Sequence, residues 1–235
     1  MASLISRQNY SSSSPLPYSR VPRNKIAVEA GDDETGMTVV FAGDIVLAYV
    51  DGQSQPQVCL RVEGMPAAFY SVKPAEPISI NGSADAAGLM SQIASKMGFS
   101  FENAGVVAKL ANPYFPGTLW TQALAIARHA GFDMIIERGV MVICPPAKTR
   151  AGESVVISPE TGMVGYPAFS QMNVLVAALF NPAVKYSGEV EIRSDLTAAC
   201  GKWKVIGLVY DLDAEVPNGK WFQILTCIKA VETVS

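Results

Sequence analysis

The sequence predicts an α+β fold, mainly β, in which barrel or sandwich strands flank a central α+β portion with two helix–hairpin units. Three observations carry this. Short runs rich in Val, Ile, Phe and Tyr recur between Gly, Pro and Asn-Gly turns towards both ends of the chain. Between them lie two stretches whose apolar residues fall at helical spacing, each stopped by a glycine. The 235 residues are 49% hydrophobic and 17% charged, which excludes an intrinsically disordered chain and gives enough apolar side chain for a real core.

The chain divides into a polar N-terminal arm (1–24), an N-terminal β region (25–82), an α+β portion (83–146) and a C-terminal β region (147–235). The arm holds Ser11 to Ser14 followed by Pro15-Leu16-Pro17, which no helix tolerates. It is expected to be held by a neighbouring subunit or by its own domain, with Tyr10, Leu16, Tyr18 and Val21 as anchors.

Strands are expected over 38–41 and 45–50, with Asp51-Gly52 as a turn before a strand over 58–62. Further strands are expected over 68–72 and 78–80, closed by Asn81-Gly82. A helix over 84–97 follows, with Ser83 as its cap, Leu89, Met90, Ile93, Ala94 and Met97 on one face, and Gly98 as its stop. Residues 99–101 and 106–108 read as a short hairpin around Asn103 and Gly105. The second unit repeats the grammar, with a helix over 119–130, a stop at Gly131 and strands over 132–136 and 140–143. Ile93 to Phe101 aligns with Ile126 to Met134, so the units resemble each other; two copies are too few for a solenoid.

The C-terminal region is β again. Strands are expected over 154–157, 173–180, 188–193, 202–210 and 220–226. The alternation in Gly188 to Arg193 leaves one face for solvent or a partner. Pro217-Asn218-Gly219 marks the turn between the last two strands.

Catalytic chemistry finds little support. A Ser/His/Asp or Cys/His system needs a histidine, and the only one, His129, sits in the last turn of the second helix, where it suits the carbonyl end of the dipole. There is no P-loop and no G-x-G-x-x-G. Glu102 and Glu137 occupy similar places in the two units and read as exposed turn residues; as a carboxylate pair they are the residues a glycosidase would use. Asp211, Asp213 and Glu215 form an acidic strand end without EF-hand spacing. Cys59, Cys144, Cys200 and Cys227 form no C-x-x-C and read as reduced, mostly buried thiols. No catalytic, cofactor or metal residue is therefore assigned. A formal net charge of −3 argues against specific nucleic-acid binding. No secretory h-region follows Met1 and no apolar run is long enough to span a bilayer, so synthesis in the cytoplasm without a membrane span is expected.

The run Ala111-Asn112-Pro113-Tyr114-Phe115-Pro116-Gly117-Thr118-Leu119-Trp120 leads into the second helix, and Ile157-Ser158-Pro159-Glu160-Thr161-Gly162-Met163-Val164-Gly165-Tyr166-Pro167 follows. Then come Leu179-Phe180-Asn181-Pro182, Cys200-Gly201-Lys202-Trp203 and Val216-Pro217-Asn218-Gly219-Lys220-Trp221. In this order, over about residues 77 to 228, the chain resembles the baseplate hub proteins of tailed bacteriophages, especially contractile-tail phages and related prophages. The resemblance implies tube-like β-barrel domains and a structural role in the virion. It implies a hub that joins the tail tube to the central spike, with no catalytic residues and no cofactor. The implied partners are copies of itself (a homotrimer, alternatively a hexameric ring), tail tube and tube-initiator proteins, and the spike. Two rival readings are a tail-tip peptidoglycan-degrading enzyme using Glu102 or Glu137, and a host carbohydrate-binding module. The second would need Trp120, Trp203 and Trp221 exposed in a row, and all three are expected to be largely buried.

Overall fold

The computed structural model describes residues 3–8, 24–32, 36–52, 58–146, 148–170 and 172–229. The chain forms two compact units. The first takes the residues up to 102 together with 107–130 and 134–142; the second takes 103–106, 131–133 and the residues from 143 onward.

The first unit opens with four strands, β1 (Ser3–Gln8), β2 (Lys25–Asp32), β3 (Gly36–Asp51) and β4 (Cys59–Met65). They form an antiparallel sheet in chain order. Strand β1 lies within the segment that the sequence reads as a polar arm; the expected anchors Tyr10, Leu16, Tyr18 and Val21 lie outside the described residues. Where the sequence reads two strands, β3 runs unbroken through Gly43 and Asp44. Its two halves have different partners. Strand β2 pairs with it from Gly36 to Asp44, and β4 pairs with it from Asp44 to Asp51. A Cβ at Gly43 would stand 2.8 Å from the Met65 carbonyl oxygen, so glycine is what lets the end of β4 come this close.

Residues 68–72, expected as a strand, form a short helix instead, α1 (Ala68–Val72). The cause is tertiary: the Asp44 carboxylate accepts a hydrogen bond from the Phe69 amide at 3.0 Å, satisfying one of the amide donors that the first turn leaves without an intrahelical partner. Two short strands follow, β5 (Ile78–Ser79) and β6 (Ser83–Asp85). Helix α2 (Ala86–Met97) begins two residues later than predicted, because its cap is Asp85 rather than Ser83: Gly88 donates its amide to the Asp85 carboxylate at 2.8 Å. Gly98 ends the helix in the left-handed region, as the sequence requires.

After β7 (Ser100–Asn103) the expected hairpin is not made. The Asn103 side chain accepts from the Gly105 and Val106 amides and closes a local turn, and residues 106–108 stay outside any strand. The next strand, β8 (Lys109–Ala111), returns to pair with β6, and β9 (Tyr114–Phe115) pairs with β5. Helix α3 (Leu119–Ala130) has its predicted bounds, with Thr118 accepting from the Thr121 amide. It leads to β10 (Asp133–Glu137) and β11 (Val140–Cys144). These do form a hairpin, whose two turn residues, Arg138 and Gly139, both have positive φ. Strand β11 also pairs with β7, giving the order β10-β11-β7. The two helices pack on each other, and their apolar residues Leu89, Met90, Ile93, Met97, Ala123 and Ile126 are buried.

The second unit is built on six strands: β12 (Val155–Ile157), β13 (Met163–Ser170), β14 (Asn173–Leu179), β15 (Glu189–Ile192), β16 (Gly201–Leu212) and β17 (Trp221–Lys229). Their order is β12-β15-β16-β17-β14-β13, with β12 parallel to β15 and the other pairs antiparallel. One face carries the core: Ile157, Val174, Val176, Val190, Ile192, Trp203, Val205, Leu225 and Cys227. The alternation read in Glu189 to Ile192 is realised, with Val190 and Ile192 buried and the two glutamates half-buried. Between β12 and β13, Ser158 starts a 3-10 turn over Pro159–Thr161 and forms a reciprocal capping box with Thr161.

Candidate functional site

The residues singled out for chemistry are not brought together. His129 is exposed in the last turn of α3, with its ring edge-on to Phe115 at 6.2 Å. Glu102 and Glu137 are not exposed turn residues: Glu102 lies within β7 and Glu137 ends β10, both half-buried, with strand β11 between them. Their strand pairing, which periodicity alone does not give, takes them out of the loops. Trp203 is buried and donates its indole N–H to the Ala199 carbonyl at 2.8 Å. Trp221 is half-buried against Phe180, and Trp120 is half-buried on α3, so the three make no exposed row. Asp211 pairs with the Lys220 ammonium at 2.9 Å and Asp213 accepts the Lys220 amide, so these acids close the β16–β17 hairpin. Among the described residues, no group of three or more His, Cys, Asp or Glu side chains gathers in a way that could hold a metal ion.

The thiols divide evenly. Cys144 and Cys227 are buried, but Cys59 and Cys200 are exposed, against the expectation that most would be inside. Burial pushes the Cys227 thiol up to about 12 and also raises that of Cys144, so both are held as neutral thiols.

The sequence offers no sign of one buried charge. Lys204, on β16, is almost fully enclosed. Its ammonium donates to the carbonyl oxygens of Pro145 (3.3 Å) and Pro146 (3.0 Å), stands 4.0 Å from the Cys144 sulfur and lies 3.7 Å from the Asp133 carboxylate. Tyr186 is nearby: its phenol is pushed up, first by burial and then by the Asp133 charge. A lysine is buried this completely only when its donors are used. Here they fix the Pro145-Pro146 stop onto the six-stranded sheet.

What the molecule offers instead is surface. Residues directly opposite on neighbouring strands share a face of a sheet. Val164, Ala177, Ile224 and Val209 are such a row across β13, β14, β17 and β16, on the face away from the core. Val164, Ile224 and Val209 are exposed, as is Leu179. The hairpin of β13 and β14 adds Tyr166, Phe169 and Met172, also exposed. In the first unit, Val46, Leu47, Tyr49, Val50, Val58, Leu60 and Met65 are exposed along β3, β4 and the residue before it. Scattered apolar residues are normal on a surface, but contiguous sets of this kind mark contact sites. Sequence reasoning missed both sets because a strand that is apolar on two faces looks the same whether its second cover is this chain or another.

Comparison with known proteins gives the family and the fold. A family model described as baseplate hub gp41 matches residues 16–218. The fold is similar to that of a tail protein from Neisseria meningitidis MC58, with a TM-score of 0.64 at 11% identity over 89% of this chain and 88% of that one. It is also similar to the 43 kDa tail protein of prophage MuSo2 from Shewanella oneidensis, with a TM-score of 0.62 at 9% identity over 97% of this chain and 89% of that one. Among curated proteins none matches. In the described residues no helix is long and apolar enough to cross a membrane.

Proposed function

The chain belongs to the baseplate hub gp41 family of bacteriophage tails, and on that premise we propose that it is a hub subunit connecting the tail tube to the central spike. It works by being held among other subunits, as a homotrimer or a hexameric ring, and it makes and breaks no bond. The observation that carries this reading is the exposed row Val164–Ala177–Ile224–Val209 on the outer face of the six-stranded sheet. A sheet apolar on both faces is a sheet meant to be covered twice. Local ion pairs, such as Arg193 with Glu191 and Lys202 with Glu189, flank the β15 side of the sheet, so its charges answer one another. Ring-forming interfaces join unlike patches of successive copies, and this chain has two such patches, one in each unit.

The test is location. A labelled copy of the chain in purified tail particles is expected at the tail end, around the axis between tube and spike, with three or six copies. A position elsewhere in the particle, or absence from it, overturns the proposal. Clearing of a peptidoglycan gel by the chain, lost in Glu102→Gln or Glu137→Gln, would replace it with the enzymatic reading.

A further inference from the structure

Two sheet faces nearly free of charge, one in each unit, are open to water in the single chain. On the six-stranded sheet the row Val209–Ile224–Ala177–Val164 does not stand alone. The row on one side of it is Gly207–Thr226–Leu175–Ala168, and the row on the other is Asp211–Phe222–Leu179. Of these residues only Asp211, at one corner, is charged, and the Lys220 ammonium answers it at 2.9 Å. In the first unit the pairing of β3 with β4 makes a ribbon with two unlike faces. Ala48 opposite Val62 and Val50 opposite Leu60 make one face with no polar side chain. Val50 and Leu60 are 67% and 58% exposed. Tyr49 opposite Arg61 and Asp51 opposite Cys59 lie on the other, where the Arg61 guanidinium donates to the Asp51 carboxylate at 2.6 Å. One side of the ribbon suits water and the other does not.

Sheets of two copies can join edge to edge or face to face. The rims of the six-stranded sheet are poor edges. Strand β13 carries Pro167, Gly165 at a φ of 68° and a bulge between Val164 and Ala168, and β12 is three residues long. Each of these features blunts an edge. The face is what remains. Weighted by exposure, its middle row and Leu179, with Tyr166, Phe169 and Met172 of the adjoining hairpin, present roughly 800 Å², about what one partner gives to a standard interface. A surface of this composition is best met by one equally poor in charge, because a charge set against it loses its water and gains no partner. The open face of the ribbon is such a surface, and every copy carries it. A sheet paired with its own twin would leave the ribbon face in water, whereas ribbon on sheet covers both with one joint.

We infer that the outer face of the six-stranded sheet is covered by the Ala48–Val50–Leu60–Val62 face of a second copy of this chain, sheet on sheet. Each copy then gives its ribbon to one neighbour and receives on its sheet the ribbon of another. The joint is heterologous, and its repetition makes a ring where the rotation closes. It rests on the reading of the chain as an assembly subunit and names the two surfaces that meet.

Two full-length double variants test the joint: Val50→Lys with Leu60→Lys on the ribbon, and Val209→Lys with Ile224→Lys on the sheet. All four side chains are exposed in the single chain, so both variants are expected to keep the wild-type circular dichroism spectrum. In native mass spectrometry the wild-type chain is expected as an oligomer and each variant alone as a monomer, its dissociation constant raised at least about tenfold. Mixed in equal amounts, the two variants share one intact ribbon and one intact sheet. They are expected to form a dimer of one of each, and nothing larger. A sheet that pairs with its twin would instead let the ribbon variant dimerise alone. That outcome, a wild-type monomer, or a mixture that stays monomeric overturns the inference. If either variant fails to fold, Val50→Thr with Leu60→Thr and Val209→Thr with Ile224→Thr, which keep strand propensity, decide by the same weakening alone and the same rescue on mixing. Entry of both variants into purified tail particles at the wild-type level would overturn the joint alone; absence of the wild-type chain from those particles would overturn the functional reading.

Discussion

The Lys204 ammonium lies 3.7 Å from the Asp133 carboxylate, yet the two partners are in opposite surroundings: the lysine side chain is 3% exposed and the aspartate 47%. The pair is therefore one buried cation with a half-wet counter-ion, and the two prolyl carbonyls complete its solvation. Removing a partner of a buried pair is expensive because of the charge left behind. Asp133 can be replaced by water, whereas the space of Lys204 cannot.

Lys204→Ala is accordingly expected to destabilise the protein by about 3 kcal/mol, since it leaves a cavity and two carbonyls without their donor. Asp133→Asn should be milder, about 1 kcal/mol, because solvent reaches that side of the pair. Urea unfolding of both variants measures the difference; equal losses would show that the ion pair, and not the two carbonyls, holds the lysine.

Alkali should act through the buried thiols. The Cys227 thiol is raised to about 12 in the fold from an ordinary value of 9.0. A group raised by folding stabilises fully below its unfolded value and loses that contribution as pH climbs through the folded value. Stability should therefore be unaffected by this thiol below pH 9.0 and fall from there to about 12. Cys227→Ser, whose hydroxyl does not ionise in this range, should lack that part of the alkaline loss. Thermal melts at successive pH values test the sign.

The capping box gives an acid-side prediction. Ser158 donates its hydroxyl to Glu160 at 2.7 Å and accepts the Thr161 amide, and the first of these bonds holds the Glu160 carboxyl below its usual range. A carboxyl lowered by folding stabilises above its unfolded value, and the contribution disappears as pH falls through the folded one. Ser158→Ala should lose about 1 kcal/mol near neutral pH and also lose this share of the acid dependence. Stability curves for both proteins between neutral pH and acid would show parallel lines if the bond to Glu160 were unimportant.

The outer face of the six-stranded sheet should matter for assembly and little for folding. Val209→Lys with Ile224→Lys is expected to change unfolding stability by no more than about 0.5 kcal/mol for each site, because both side chains are already in water. The same variant should fail to enter tail particles. Normal incorporation would remove the evidence on which the structural reading chiefly stands.

Gly31 is the sharpest steric site. A Cβ there would collide with the backbone oxygen of Gly36, across the β2–β3 connection. Gly31→Ala should therefore open that end of the sheet, read as faster amide exchange in β2 than in β17.

Helix α3 was legible almost to the residue, because the apolar spacing and the stop at Gly131 point the same way. The β16–β17 hairpin was legible for the same reason, with Pro217-Asn218-Gly219 between two apolar runs. Where the sequence misled, a side-chain hydrogen bond to the backbone decided. Ala68 to Val72 has the composition of a strand, but Asp44 supplies the bond that makes it a helix. Val106 to Ala108 has the look of a hairpin arm, but the Asn103 side chain takes the amides that a hairpin would use. The unbroken β3 was hidden at residues 42–44, which fall between the two predicted strands and hold a change of partner. The candidate surfaces were partly visible as low charge, but exposure is a property of what is missing beside a strand, and no local pattern records it.

The strand order of the second unit also sets a timetable. Strands β12 and β13 are neighbours in the chain yet occupy opposite rims of the sheet, and the two strands that join the halves, β16 and β17, come after the other four in the chain. Neither rim can be zipped to the other until β16 and β17 have left the ribosome, so this sheet forms through distant pairings, which are slow. Until then its sticky outer surface does not exist as a surface, and nascent chains are spared from joining one another too soon.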